Sequence, residues 1–342
     1  MFLCELKFLL RIYEENESFL FFIRIGGFTM NKIAGHHHIS MITKKGEQNN
    51  QFYQKVLGLR LVKKTVNQDN PSMYHLFYGD LTGSTGTELS FFEIPMAGRT
   101  QRGTNAITRI GLLIPSYESL LYWKERFELL DVKHGELTKY AGREALHFED
   151  GEGLQLVLLN NNGDEVPAHW QAWKDSTVIQ EHRILGMGAV EMTVQSLNSL
   201  ANTLTNLFGY ELASRKDNEA MYQSVKGQAY GEIVIVEQDG PKEKPGRGSV
   251  HHVAIRVKDG EELREWSQRI QDFGFEVMKI TDRYYFESLY FREENGILFE
   301  LATDGPGFTV DSTIESLGIE LDLPPFLEDT RNEIEAKLKP ID

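Results

Sequence analysis

The sequence predicts an α+β protein built from four β-α-β-β-β modules that pair into two curved-sheet domains. Three observations carry this. Short apolar strands open at His38-Ile39, Arg109-Ile110, Ala189-Val190 and His252-Val253. Each is followed by a glycine that opens a second apolar strand, at Gly86, Gly153, Gly231 and Gly296, at separations of 48, 44, 42 and 44 residues. One stretch of helical periodicity lies between the members of each pair, and self-similarity at so even a period marks a repeated structural unit.

The fourth module shows the unit most completely. Asp259 is placed as N-cap with Glu262 three residues on, Leu263, Trp266 and Ile270 recur at helical spacing, and Gly274 closes the helix. Strands follow at Phe275 to Val277, Tyr284 to Phe291 and Ile297 to Leu301, with Asn295-Gly296 as the hairpin turn between the last two. Glu47 to Leu57, Ser116 to Leu130 and Asn198 to Phe208 supply the helices of the first three modules. A half-open sheet cannot bury both faces alone, so modules pair around a concave interior. The polar stretch from Asn160 to Glu181 is the best boundary. It divides the chain into an N-terminal domain over 30–162, a linker over 163–183 and a C-terminal domain over 184–305. Beyond Gly305 the repeat is lost, and a tail over 306–342, broken by Pro324-Pro325 before a charged helix-like end from Glu328 to Leu338, is expected to pack outside the sheets.

Composition narrows the function. The 342 residues are 41% hydrophobic and 25% charged, the ordinary globular range. A net charge of −15, from 51 acidic and 36 basic residues, disfavours a phosphate-backbone partner, so the reading is no nucleic acid and a small-molecule ligand. A single cysteine, Cys4, permits no internal disulfide, which fits a reducing, cytoplasmic setting. The apolar run FLFFIRI near the start falls far short of the ~20 residues of a membrane span. Glu14, Glu15 and Glu17 precede it and Arg24 interrupts it, so neither a membrane anchor nor a secretory signal is read. Residues 1–29 form a doubtful leader, because Gly26-Gly27 can be encoded by a purine-rich run resembling a bacterial ribosome-binding site just before Met30.

Aligning the modules isolates the chemistry. The first-strand position holds His38, Arg109, Ala189 and His252; the position four after the strand-opening glycine holds Ser90, Val157, Ile235 and Glu300. Only modules one and four offer metal ligands. One histidine in a strand is more often a hydrogen-bonded packing residue than a ligand. Here two occupy the same repeat position, and Glu300, flanked by Leu298, Phe299, Leu301 and Ala302, would be costly to bury as an unpaired charge. Two imidazoles and one carboxylate on one face of an octahedron form a non-haem Fe(II) site with three open positions, enough for a chelating diol and O2; Mn(II) accepts the same ligands.

If Glu294-Asn295-Gly296 is a three-residue loop, Glu293 pairs with Ile297 and Tyr290 falls opposite Glu300 on the metal-side face. Strand alternation turns His37 and His251 away from that face, unless the strand ends twist. His75 either lines the cavity or packs, packing being the simpler reading. His134, His147, His169 and His182 have no repeat-equivalent partner. No phosphate-binding glycine loop is present, and Gly151-Glu152-Gly153 lacks the spacing of a dinucleotide fingerprint.

The segments GHHHIS, FYQKVLGLRLVKKTVNQD, MYHLFYGD, GSTGTELSFF, SVHHVAIRV, DRYYFESLYFREENGILFELATDGPGF and SLGIELDLPP resemble the ring-cleaving dioxygenases related to hydroquinone dioxygenases and bacterial quinone-resistance proteins. These belong to the vicinal-oxygen-chelate, or glyoxalase/bleomycin-resistance, superfamily. The likeness runs from about Met30 into the tail. It implies paired glyoxalase-like domains and Fe(II) held by the last histidine of each run and the glutamate of the Phe-Glu pair, here His38, His252 and Glu300. It also implies Arg283 as a cation near the substrate anion, and His37 and His251 as neighbours able to move protons. Tyr290 and His251 would then assist oxygen insertion on a small aromatic diol, with a role in detoxifying quinone-forming compounds.

Two other readings stay open: a glyoxalase-like isomerase or lyase, which typically needs a second carboxylate where Ser90 stands, and a metal-free protein that sequesters an aromatic. Ring substituents, the cleavage position and association into a homo-oligomer are left undecided. If Met30 is the true start, mass spectrometry of the natively expressed protein finds no peptide from residues 1–29; one such peptide overturns the assignment.

Overall fold

The computed structural model describes residues 33–341. The leader read over 1–29, with Cys4 and Met30, lies outside them. Module one comprises β1 (His36–Thr43), a short α1 (Gly46–Asn50) that continues as a π-helical turn over Gln51–Val56, β2 (Arg60–Asn67), β3 (Asn70–Gly79) and β4 (Glu88–Glu93). Module two has β5 (Ala106–Ile114), α2 (Tyr117–Leu129), β6 (His134–Tyr140), β7 (Arg143–Glu149) and β8 (Gln155–Asn160). Module three has β9 (Gly186–Val194), α3 (Leu197–Asn202) with a π-helical extension over Thr203–Leu207, β10 (Glu211–Lys216), β11 (Glu219–Gln223) and β12 (Ile233–Glu237). Module four has β13 (Ser249–Val257), α4 (Gly260–Phe273), β14 (Thr281–Asp282), β15 (Phe286–Arg292) and β16 (Leu298–Pro306).

Local chemistry explains these boundaries. The Asp259 carboxylate accepts hydrogen bonds from the N–H groups of Glu261 and Glu262, satisfying orphan donors at the start of α4. Gly274 ends that helix in the left-handed region at φ 109°, where a side chain would be strained. Leu263, Trp266 and Ile270 are its buried stripe. Ser116 caps α2 by accepting from the Ser119 N–H. The strand expected over Phe275 to Val277 is reduced to one bridge between Val277 and Phe291, and the regular pairing falls instead at β14, where Thr281 faces Ser288.

The four modules form two eight-stranded sheets, and their pairing is the main topological finding. One sheet has the order β14-β15-β16-β13-β1-β4-β3-β2, the other β10-β11-β12-β9-β5-β8-β7-β6. Module one is therefore joined to module four, and module two to module three. The segments 30–162 and 184–305 divide the chain in sequence, but neither closes a sheet by itself. The β1–β13 junction is antiparallel, while β4 and β16 run parallel to β1 and β13 on either side.

The tail corrects the expectation that it lies outside the sheets. Phe308 and Leu317 are buried in one cluster with Val62, Phe77, Ala254, Tyr285, Phe286 and Ala302, inside the concavity of the first sheet. What draws the tail in is Lys63 on β2, whose side chain is 0% exposed. Its ammonium lies 2.7 Å from Asp311 Oδ1 and 2.6 Å from Asp322 Oδ2, and 5.0 Å from the centroid of the Tyr285 ring. A buried cation is tolerated only when paired, so the two tail aspartates are held against β2. The charged end is a 3₁₀ turn over Pro325–Thr330 followed by α5 (Arg331–Glu335), with Ile334 packed on Val66 and Leu323.

Replacing Lys63 by Ala strands two carboxylates and is expected to cost about 3 kcal/mol of stability. Urea denaturation reads the loss, and amide exchange shows faster opening over 308–322 than in the β1–β13 junction.

Candidate metal centre

The concave face of the first sheet carries alternate residues of each strand, which brings His38 (β1), His252 (β13) and Glu300 (β16) to one point. All three are buried, at 1%, 2% and 0% exposure. His38 Nε2 lies 3.2 Å and His252 Nε2 2.7 Å from Glu300 Oε2, and the two Nε2 atoms are 3.4 Å apart. Donors about 2.1 Å from one ion at right angles are separated by roughly 3 Å, so the triangle matches one face of a metal's coordination shell. Glu300 Oε2 is sealed from solvent yet takes no well-aligned hydrogen bond. Its partner oxygen Oε1 accepts from the Ser288 hydroxyl at 2.5 Å. Burial by itself would raise the Glu300 carboxyl, but His38 and His252 pull it well below its ordinary value, so it is an anion with one free oxygen. An orphaned carboxylate oxygen facing two imidazole nitrogens is a donor set that fits a divalent cation.

Neighbouring histidines settle which nitrogen is available. His37 Nε2 is 3.0 Å from the Thr303 carbonyl oxygen, which can only accept, so that nitrogen carries the hydrogen. Burial and the adjacent His38 lower the His37 imidazole to about 3, keeping it neutral and its Nδ1 bare. Nδ1 of His37 is 3.0 Å from Nδ1 of His38, which must then donate, so Nε2 is the His38 nitrogen presented to the centre. The arrangement repeats at the other ligand, where Nδ1 of His251 lies 2.7 Å from Nδ1 of His252. Strand alternation alone had turned His37 and His251 away. The register shift in β1 between His36 and Ile39 brings His37 beside His38 instead.

A second cluster, His37, His38 and Glu88, also lies within ligand reach. Its imidazoles are committed elsewhere: both nitrogens of His37 are engaged and His38 Nδ1 faces His37, which leaves Glu88 Oε2 as its one unpartnered atom. Glu88 is buried, and burial, with Asp80 and Glu300 nearby, raises its carboxyl well above the ordinary value, so it is neutral. It faces a separate cavity bounded by Phe286 and the Arg256–Asp304 pair.

The cavity over the triad is walled by Phe77, Phe92, Tyr285, Phe286 and Tyr290. Tyr290 stands opposite Glu300 across the β15–β16 hairpin, the register that the three-residue loop count predicts, and its ring meets that of His252 edge-on at 5.5 Å. Burial, and secondarily Glu300, raises its phenol far above the ordinary value, so it remains an O–H donor. Arg283 reaches the cavity rim, where Nη1 lies 2.9 Å from Asp69 Oδ2. His251 is exposed and is not among the lining residues; its ring abuts Phe92 at 5.7 Å. His75, for which packing was the simpler reading, does line the cavity, between the rings of Phe77 and Phe92 at 4.1 and 4.2 Å. Its Nε2 is 3.2 Å from Ser90 Oγ, and burial lowers the imidazole well below its usual range. Ser288 was missed, although its position two residues before Tyr290 puts it on the same strand face. Among the described residues no helix is long and apolar enough to cross a membrane.

Comparisons with known proteins find relatives along most of the chain. The Glyoxalase/Bleomycin resistance protein/Dioxygenase superfamily description matches residues 186–301. The MhqA protein of Bacillus subtilis, whose assignment as a ring-cleaving dioxygenase is provisional, is 50% identical over 316 residues, spanning 91% of this chain and 99% of that protein. Chlorohydroquinone/hydroquinone 1,2-dioxygenase of Sphingobium indicum is 29% identical over 315 residues, 89% of this chain and 95% of the relative. A crystal structure from Bacillus subtilis, provisionally a dioxygenase, superposes with a TM-score of 0.85 at 33% identity, covering 91% of this chain and 98% of its own. Glyoxalase I of Zea mays, at 13% identity and a TM-score of 0.59, over 79% of this chain and 92% of its own, shares the fold.

Glu300→Ala is expected to abolish stoichiometric binding of a divalent transition metal, measured by elemental analysis after dialysis. Ser288→Ala, which frees Oε1, should weaken metal affinity about tenfold while leaving the fold intact.

Proposed function

Because the chain belongs to the glyoxalase/bleomycin-resistance/dioxygenase superfamily as an MhqA-like protein and a homologue of hydroquinone dioxygenase, we propose that it is an Fe(II)-dependent ring-cleaving dioxygenase acting on a hydroquinone- or catechol-like diol with O2. The observation that carries this reading is the convergence of two imidazole Nε2 atoms and one orphaned carboxylate oxygen on the floor of a cavity walled by aromatic rings. His38, His252 and Glu300 would hold the metal. When bound, iron supplies a Lewis acid for an ionised ring hydroxyl and a redox centre for O2.

The remaining steps belong to the protein. Phe77, Phe92 and Phe286 present ring surfaces that orient a flat substrate and exclude water from the floor of the cavity. Tyr290, held neutral, donates its phenolic hydrogen to a substrate oxygen beside His252. His75, also neutral, contributes an apolar face and a hydrogen bond to Ser90 without adding charge. His251 fixes the tautomer of His252 through Nδ1, while its other nitrogen can exchange a proton with solvent. Arg283 at the rim stabilises negative charge developing on the ring oxygens. The isomerase reading would require a carboxylate where Ser90 stands; that hydroxyl is bonded to Ser40 Oγ at 2.6 Å.

Anaerobically Fe(II)-loaded protein given hydroquinones and catechols is expected to consume O2 in a substrate-dependent way. Uptake vanishes in Glu300→Ala, and Tyr290→Phe lowers kcat by about 10²-fold. No uptake by protein holding stoichiometric iron would exclude ring cleavage of these diols and leave isomerisation or sequestration.

A further inference from the structure

The two edges of the first sheet meet across the mouth of the cavity. On one side the β2–β3 loop presents Gln68 and Asp69; on the other, Arg283 stands between β14 and β15. Gln68 Nε2 donates to the Arg283 carbonyl oxygen at 2.6 Å, and Arg283 Nη1 is 2.9 Å from Asp69 Oδ2. The first contact fixes the backbone of the turn, and the second fixes its side chain. At the mouth, away from the Glu300 carboxylate on the floor, Asp69 and Arg283 are the only lining residues with an acidic or basic side chain other than imidazole. The pair is graded in exposure: the Arg283 side chain is 23% exposed and that of Asp69 is 74%. The guanidinium therefore faces the cavity, with the carboxylate set over it from the solvent side.

An unpaired arginine at the rim of an aromatic cavity is a receptor for a ring carboxylate, because its planar fork matches that group. Asp69 already occupies a donor of that fork and places a negative charge where an acidic substituent would enter. We propose that Asp69 is a specificity-determining residue: it occupies the carboxylate-binding fork of the one cation at the mouth and opposes a second carboxylate there, while leaving the guanidinium near the ring oxygens, so the site takes dihydroxybenzenes with uncharged substituents and discriminates against those bearing a ring carboxylate. This rests on the aromatic-diol reading of the same cavity. The contact is partly solvated, so its effect is moderate, a selectivity of about tenfold for one charge pair near the surface.

The test is anaerobic equilibrium binding to the full-length Fe(II)-loaded protein, followed by tryptophan and tyrosine fluorescence, with hydroquinone and 2,5-dihydroxybenzoate as the two probes. Binding without O2 keeps recognition separate from turnover. Wild-type protein is expected to prefer hydroquinone. In Asp69→Asn the ratio of the two dissociation constants should move about tenfold towards 2,5-dihydroxybenzoate, and the shift should shrink as salt is raised. Adding Arg283→Gln to Asp69→Asn should remove the shift, since the gain acts through the freed guanidinium. Hydroquinone binding with an unchanged ratio in Asp69→Asn overturns the proposal and leaves the diol reading standing; a shift that survives Arg283→Gln overturns it too. Binding of neither probe to wild-type protein overturns the diol reading and the proposal together.

Discussion

The antiparallel junction between β1 and β13 is the constraint on which the site depends. Ser40 faces His252 and Ile39 faces Val253 across it, which sets the two histidine-bearing strands side by side although 214 residues separate His38 from His252. β4 and β16 then add in parallel on the outer sides. The result is one continuous sheet whose concave face carries His38, His252 and Glu300 together. Had each half of the chain closed on itself, His38 would lie in a different sheet from His252 and Glu300. A one-residue slip at the junction would turn every side chain of β1 to the other face.

Burial gives the centre its electrostatic character. His37 and His75 are neutral because the interior disfavours imidazolium, and Tyr290 is neutral because the interior disfavours phenolate. Glu300 is the exception, kept ionised by the two imidazoles it faces. An interior in which the carboxylate is the lone anion on the floor is suited to receiving a dication. The paired histidines extend this outward: His38 and His252 are each held through Nδ1 by the histidine before it in sequence, which leaves Nε2 for the centre.

The second sheet shows what the same architecture does without ligands. At the positions that correspond to His38 and His252 it has Arg109 and Ala189, and Arg109 Nη1 is 2.5 Å from Glu191 Oε2. Tyr140 Oη donates to the same oxygen at 2.8 Å, and the Thr108 hydroxyl donates to Oε1 at 2.7 Å. Here an internal cation already answers the carboxylate, so among the described residues the second concavity has no orphaned acid at its centre. The first concavity is closed by the tail, with Lys63 drawing in Asp311 and Asp322 so that Phe308 and Leu317 fill space beneath Phe286.

Repetition made much of this legible in the sequence. Four evenly spaced modules, the Asp259 and Gly274 helix ends and the three-residue loop before Ile297 are consequences of local backbone chemistry, and local chemistry is written in contiguous residues. Comparing equivalent positions singled out His38, His252 and Glu300, because ligand-type residues stand out against Arg109, Ala189 and Val157; counting from the glycine put Ile235 in this set, whereas the β9–β12 register gives that place to Val234. Tertiary structure alone decided which modules share a sheet, since the repeats are too similar for their sequences to choose a partner. It also decided that the tail enters the concavity, because Lys63 and its two aspartates lie about 250 residues apart along the chain. The same holds for His75, which lies between two rings over the centre, and for Arg283, which faces Asp69 across the mouth. Those contacts join opposite edges of one curved sheet, and sheet curvature depends on the packing of all its strands at once.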